Sequence, residues 1–312
     1  MRFTVHQDSH IGGRSTNQDR AGYCFTRDAL LMLLADGMGG HALGGLAASL
    51  AVQTMGALFQ ERAQPGIHAP HRFLDDAVFA AHHALHRYRA ANRLPDAPRT
   101  TIVVCLIQYG HAYWAHCGDS RLYWVRNGRV LARTRDHSHV ESLIIQGRLP
   151  ASARLTHPDR NKLFCCLGAP SLPRVDKAPV TALKSGDQFL LCSDGLWNSV
   201  AEHELAYRLT AQAFPDAIPA LVQAATVNAG KSSDNVTALG LIWLGDEAAL
   251  PPPPLSSTVL PVDSLATTMT AARHAELDDV SVGIAADACG GDAEMDRAVA
   301  PMHAKSKPGQ AP

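Results

Sequence analysis

Three aspartates stand in the same kind of setting. Leu31-Met32-Leu33-Leu34-Ala35 runs into Asp36-Gly37, Phe189-Leu190-Leu191-Cys192-Ser193 runs into Asp194-Gly195, and Ser233-Asp234-Asn235 leads into an apolar run. An apolar strand fixes the backbone on one side of each carboxylate, and a Gly or Asn turn bends the chain away on the other. That is how a rigid rim holds hard oxygen ligands. Carboxylates, backbone carbonyls and water suit Mg²⁺ and Mn²⁺ rather than zinc. One Asp-Gly alone is simply a good turn. Several matched segments in order are much harder to explain that way.

The elements that must position these groups are legible in the pattern of apolar residues. Strands are expected over Thr4–Ile11, Arg20–Thr26, Leu30–Ala35, Thr101–Tyr109, His111–Cys117, Arg121–Arg126, Arg129–Arg133, Asp187–Cys192 and Asn235–Leu244. Asn127-Gly128 between two such runs is a strong hairpin signal. Helices are expected over Gly44–Arg62, His71–Asn92, Ser138–Gln146, Glu202–Leu209 and Asp216–Asn228. In the second of these, Phe73, Ala77, Ala80, Ala84 and Tyr88 recur at helical spacing. Its histidines, His82, His83 and His86, read as a solvated face. Ser138 with Glu141 three residues on reads as a capping box. Residues Arg148–Pro173 carry few strand signals and read as a surface flap. Consecutive hairpins with a few long helices point to antiparallel sheets covered by helices, not to a βαβ fold.

Composition narrows the class. Of 312 residues, 46% are apolar and 18% charged, which suits a packed core. The longest apolar run, Ala29–Ala35, is strand-sized, well short of the roughly 18 to 20 residues a membrane helix needs. No apolar signal core follows Met1, so the expectation is a cytoplasmic protein without membrane partners. A net charge of −1 argues against nucleic acid. The charge is uneven: from Asp246 onward there are 10 acidic and 4 basic residues (−6), against 19 and 24 (+5) before it. Seven cysteines with no CxxC pair argue against a disulfide framework or a structural zinc site, and read as small buried hydrophobes. Pro251-Pro252-Pro253-Pro254 marks a break in composition. The expected organisation is one domain over residues 1–246 and a Pro-rich linker with an acidic disordered tail over 247–312, with a weakly amphipathic short helix at Ser264–Glu276.

A resemblance sharpens this reading. Arg14-Ser15-Thr16-Asn17-Gln18-Asp19, Asp36-Gly37-Met38-Gly39-Gly40-His41, Thr100-Thr101, Gly118-Asp119-Ser120-Arg121, Asp136-His137-Ser138, His157-Pro158-Asp159-Arg160-Asn161, Ser193-Asp194-Gly195-Leu196-Trp197 and Ser233-Asp234-Asn235 occur in this order. Together they resemble the metal-dependent protein phosphatases (PPM, protein phosphatase 2C-like) in their compact bacterial form. The resemblance implies an α+β fold: two packed antiparallel β-sheets forming a central sandwich flanked by pairs of α-helices. It also implies hydrolysis of phosphoserine and phosphothreonine in proteins, dependent on two Mn²⁺ or Mg²⁺ ions, with a third held more weakly. Asp36 would bridge the two ions, with the Gly37 carbonyl as an added ligand. Asp194 and Asp234 would complete the first ion's shell, and Asp119 would help Asp194 hold the third. The ions would generate a hydroxide that attacks phosphorus in line. Arg14 would grip phosphate oxygens. The partners implied are phosphorylated proteins and a cognate serine/threonine kinase. His137–Leu143 resembles relatives found in type VI secretion loci.

Two positions depart from the family pattern. Gln18 stands where many members carry glutamate; it keeps an acceptor oxygen but loses a charge, so either it would bind the second ion more weakly or through water, or Asp19 would carry that shell instead. Met38 stands where some relatives place a histidine that donates a proton, and His41 nearby has no assigned role. Two other functions stay open at this level. A catalytically impaired regulatory module has Gln18 in its favour. A phosphatase of a small phosphorylated metabolite would be distinguished by the flap.

Overall fold

The computed structural model describes residues 1–38 and 43–245 and the backbone of 266–267. The sequence-expected tail, its prolines and the 246/247 boundary otherwise lie outside the described residues, as does His41.

The first half holds β1 (Arg2–His10), β2 (Asp19–Phe25), β3 (Ala29–Met38), α1 (Leu43–Arg62), α2 (Pro70–Ala91), β4 (Arg99–Thr100), β5 (Ile102–Gln108), β6 (His111–Cys117), β7 (Arg121–Arg126), β8 (Arg129–Arg133) and α3 (His139–Ile145). The second holds β9 (Asp176–Lys177), β10 (Thr181–Ala182), β11 (Gln188–Cys192), α4 (Asp194–Trp197), α5 (Glu202–Ala211), α6 (Phe214–Ala229), β12 (Val236–Gly245) and β13 (Ala266–Thr267). The strands form two antiparallel sheets. One runs β1-β12-β11-β7-β8, the other β10-β6-β5-β3-β2-β13, with β4 paired to β3 and β9 to β6. At Ala266–Thr267 the backbone is extended and pairs with β2, not helical as expected.

Side-chain alternation explains why the central strands read as unbroken apolar runs. Leu30, Met32 and Leu34 of β3 point between the sheets, where they meet Phe189, Leu191, Leu239 and Leu241. The intervening Leu31, Leu33 and Ala35 point the other way, onto Ala48, Val52, Met55 and Phe59 of α1 and Leu74 and Val78 of α2. On the far side, Leu190 and Cys192 of β11 meet Leu205, Leu209, Ile218 and Leu221 of α5 and α6. Each fully buried leucine contributes roughly 2 kcal/mol by removal from water. Gly240 is needed for this contact, because a Cβ there would lie 2.4 Å from Ile218 Cδ1. Among the described residues α1 alone is long and apolar enough to cross a membrane, and it spends that surface in the core.

Local chemistry accounts for the turns. Asn127 and Gly128 both take positive φ, 50° and 72°, as a two-residue hairpin turn requires. Ser138 caps α3 by accepting from the Glu141 amide at 3.2 Å. The expected capping box is only half formed, because the Glu141 carboxylate pairs with Arg154 at 2.7 Å. The flap, Arg148–Pro173, has a short 3-10 turn at Ala151–Arg154 and is tied down by bridges from Leu163 to Ser138 and from Leu167 to Thr100. Two of the α2 histidines help, contrary to the expected solvated face, while His83 is exposed as expected. Buried His82 accepts from the Gly168 amide through Nδ1 at 3.2 Å, and His86 Nε2 meets the Ala169 carbonyl at 3.0 Å.

Candidate metal centre

Antiparallel order brings the ends of β1, β3, β6 and β11 to the same edge of the sandwich as the starts of β2, β5, β7 and β12. An open cleft of about 820 Å³, counted out to bulk solvent, lies there. Asp36, Asp119, Asp194 and Asp234 line it, with the Gly37 backbone, Gln18 and Arg14. Asp19 lies just behind, opposite Asp36 in the β2–β3 ladder.

Each carboxylate is positioned by contacts that its own segment supplies. Asp36 is not at a strand end, as expected, but inside β3, which continues to Met38 and pairs with β4. Its amide donates to Thr101 Oγ1 at 3.0 Å, and its carbonyl accepts from the Thr101 amide and the Thr100 hydroxyl, both at 2.9 Å. The strand expected over Thr101–Tyr109 is β5, from Ile102 to Gln108, and the short β4 at Arg99–Thr100 precedes it. Thr101 Oγ1 shares a 2.7 Å hydrogen bond with Ser120, which links Asp36 to the Gly-Asp-Ser-Arg turn. In that turn Asp119 is 7% exposed, and its carbonyl accepts from Trp197 Nε1 at 2.9 Å. The following Arg121 is buried in a fork with Asp136, at 2.8 and 2.7 Å, and stacks 3.5 Å over the Trp197 ring. Asp194 is the first residue of α4, a single turn that the sequence reading missed.

Asn235 aims Asp234 and does more. Its amide donates to Asp234 Oδ1 at 2.8 Å, and its side chain ties down the loop that carries Arg14 and Gln18. Nδ2 donates to the Ile11 and Thr16 carbonyls, and Oδ1 accepts from the Gln18 amide. Gly37 and Gly44 lie in close approach: a Cβ on Gly37 would stand 2.1 Å from the Gly44 carbonyl oxygen. Gln18 lies against Gly44 at the start of α1, beside the acidic group. Met38 and, from the flap, Asn161 and Leu163 also line the cleft. The sequence grouped Asn161 in a motif but offered no sign that it faces the aspartates.

The electrostatics are severe. Burial, then the neighbouring charges of Asp19, Asp194, Asp119 and Asp234, hold the Asp36 carboxyl well above the usual range. Asp194 is raised in the same way by burial and by Asp119 and Asp234. Burial pushes Asp119 up to about 7, with Asp136 adding to it. It pushes Asp19 up to about 6, against hydrogen bonds to Ser193 and Thr237. Asp19 Oδ2 accepts from Ser193 Oγ at 2.7 Å, but the buried Oδ1 receives no donor. Arg14 answers part of this charge through a 2.6 Å contact to Asp234 Oδ2. That pair is half exposed, 57% and 37%, and therefore weakly stabilising.

Five crowded carboxylates, one with a buried oxygen that receives no donor, are costly unless a cation joins them. The donors are all oxygen, which fits a hard divalent cation such as Mn²⁺ or Mg²⁺. Fold and cleft thus define an α+β protein built to hold such cations. The protein phosphatase 2C family model matches residues 6–229, and the chain belongs to that family. The serine/threonine protein phosphatase PstP of Mycobacterium tuberculosis is 29% identical over 237 residues, which is 76% of this chain and 44% of PstP. The chain thus spans less than half of that relative's length. A solved structure of the catalytic domain of serine/threonine protein phosphatase PstP in complex with two manganese ions is similar with a TM-score of 0.66 at 27% identity, covering 78% of this chain and 99% of that one. PppA, described as a key regulatory component of T6SS in Pseudomonas aeruginosa, matches with a TM-score of 0.61 at 29% identity, covering 78% and 98%.

Proposed function

We propose that this chain removes phosphate from phosphoserine and phosphothreonine in proteins, using two Mn²⁺ or Mg²⁺ ions. The convergence of Asp36, Asp194, Asp234, Asp119 and Asp19 on one cleft carries the reading. Asp36 would serve both ions, with the Gly37 carbonyl; Asp194 and Asp234 would complete one shell. Asp19 would support the other beside Gln18, and Asp119 with Asp194 would hold a third ion. When bound, the ions supply Lewis acidity that makes water a competent nucleophile near neutral pH. The protein's own part is positioning. Thr100 and Thr101 fix the backbone of Asp36. Arg14 stands at the cleft mouth and is the group that would grip phosphate oxygens; to do so it must share or leave Asp234. Buried Arg121 and Asp136 hold the turn of Asp119.

The catalytic domain is assigned to residues 1–246, which the family match over 6–229 supports. The chain is proposed to be cytoplasmic with a cognate serine/threonine kinase as its counterpart, and the likeness to PppA favours a type VI secretion setting. The test is a substrate panel: phosphoserine and phosphothreonine peptides, phosphotyrosine peptides and sugar phosphates, each with Mn²⁺, with Mg²⁺ and with chelator. Metal-dependent turnover of the first two is expected. Turnover confined to sugar phosphates would overturn the protein-phosphatase reading, and none on any substrate would favour a regulatory module.

A further inference from the structure

Behind the β6–β7 turn lies a second cluster, of different chemistry. Cys117 ends β6, His137 precedes α3 and Cys165 belongs to the flap. All three are buried, and their ligand atoms lie within 4.8 Å of one another. The two sulfurs are 3.2 Å apart. His137 accepts a 3.3 Å bond from the Gly118 amide at Nδ1, while its buried Nε2 has no hydrogen-bond partner and faces Asp176 Oδ2 at 3.3 Å. His116, its ring 4.5 Å from that of His137 and tilted 31° to it, is fixed by its Nε2 contact to the Arg135 carbonyl at 2.6 Å. Its ligand atom, one of His137 and one of Asp176 also fall within 4.8 Å of one another.

We propose that Cys117, Cys165 and His137 bind a thiophilic divalent cation, zinc, at a site separate from the carboxylate cleft, with Asp176 or His116 as the fourth donor. Two thiolates and an imidazole form a soft donor set that selects zinc over Mn²⁺ and Mg²⁺. Geometry decides between a metal and a disulfide. Two sulfurs each about 2.3 Å from a tetrahedral zinc lie about 3.8 Å apart, so the pair must open by about 0.6 Å. A disulfide needs about 2.05 Å, a closure of about 1.2 Å. The surroundings of Cys165 suit a thiolate. The Arg174 amide donates to Cys165 Sγ at 3.0 Å. The absence of CxxC in the sequence does not bear on this site, because its cysteines are 48 positions apart and meet only through the fold. A cation here would pin the flap to β6 two residues before Asp119.

The test uses the full chain, purified under reductant, with Co²⁺ and Zn²⁺ as probes in the presence of excess Mg²⁺. Co²⁺ is expected to give the intense thiolate-to-cobalt charge-transfer absorption, which oxygen ligands do not produce. Zn²⁺ should displace it, and Cys117→Ser and Cys165→Ser should each lose it. Alkylation of wild-type protein, mapped by peptide mass spectrometry, keeps the proposal testable if the variants misfold: Zn²⁺ should protect Cys117 and Cys165 together. Absence of the thiolate band in folded wild-type protein, equal alkylation with and without Zn²⁺, or recovery of the pair as a disulfide would each overturn it.

Discussion

Two clusters flank the β6–β7 turn and are built from opposite chemistry. Four aspartates line the cleft with Asp19 just behind them, and no histidine or cysteine is among the described residues that line it; the cluster behind gathers two thiols and imidazoles within a few ångströms. Burial alone does not separate them, since Asp119 and Cys165 are 7% and 8% exposed. Donor softness does. On the proposed reading it assigns the cleft to hard cations such as Mn²⁺ or Mg²⁺ and the rear cluster to a thiophilic one. The β6–β7 turn, with Asp119 at its tip, is where the two would communicate.

The largest expected effect breaks one side of this comparison and spares the other. Asp194→Asn should lower Mn²⁺-dependent hydrolysis of a small aryl phosphate by more than about a hundredfold, since even residues behind a metal's ligands cost about 10–100-fold. Circular dichroism and the thiolate–cobalt signal should be unchanged. Loss of both activity and the cobalt band would mean that the two regions are one site.

Next comes Arg14→Ala. Losing a charge-assisted phosphate contact, about 1.5–3 kcal/mol, should cut kcat/KM roughly 10–100-fold. Stability should barely move, because its pair with Asp234 is exposed. Mn²⁺ affinity, read by calorimetry, should hold or rise, since Asp234 loses a competing cation. A fall in affinity would show that Arg14 supports the metal shell instead.

A smaller effect tests the link to the turn. Thr101→Val removes the acceptor of the Asp36 amide and the partner of Ser120. Leaving that amide unpaired should cost about 1–3 kcal/mol in urea unfolding. Thr101→Ser should restore most of it.

The pH dependence follows from the raised carboxyls. Asp19 at about 6 and Asp119 at about 7, against 3.8 ordinarily, bind protons more tightly folded than unfolded. Their contribution is complete below pH about 4 and is lost as pH rises through 6 to 7. Lowered His116 and His82, each at about 4, work in the other direction below pH 6.5. The rise in Tm on adding Mg²⁺ cancels the histidines and should grow from pH 5 to 7.5. A metal increment that is flat with pH would contradict proton displacement at the cleft. The smallest change expected is with Gln18→Glu, a several-fold tightening of the second ion by calorimetry.

Much of this was readable in the sequence for a physical reason. β3, β5 and β11 are buried on both faces, so their apolar runs are unmistakable, and the Gly, Asn and Asp punctuation marks where they turn. Motif order brought Asp36, Asp194 and Asp234 together before any coordinates. What escaped has no local signature. The single turn of α4 begins on Asp194 itself, and β9 and β10 are two-residue pairings that exist only because β6 offers an edge. Thr100 and Thr101 stand out in the sequence only as a matched motif; what they do, holding the Asp36 backbone, shows only once β3 lies beside them. Glu141 forms half a capping box because Arg154, 13 residues away, competes for its carboxylate. The Cys117–Cys165 contact is a property of the fold, invisible to spacing rules.

The central claim is that the oxygen-lined cleft is a divalent metal centre. Anomalous diffraction from crystals soaked in Mn²⁺, collected either side of the manganese edge, tests it most directly. The account predicts two manganese peaks, both coordinated by Asp36, with Asp194 and Asp234 completing the shell of one. Manganese found elsewhere, or no peak within bonding distance of Asp36 in well-ordered crystals, would contradict it.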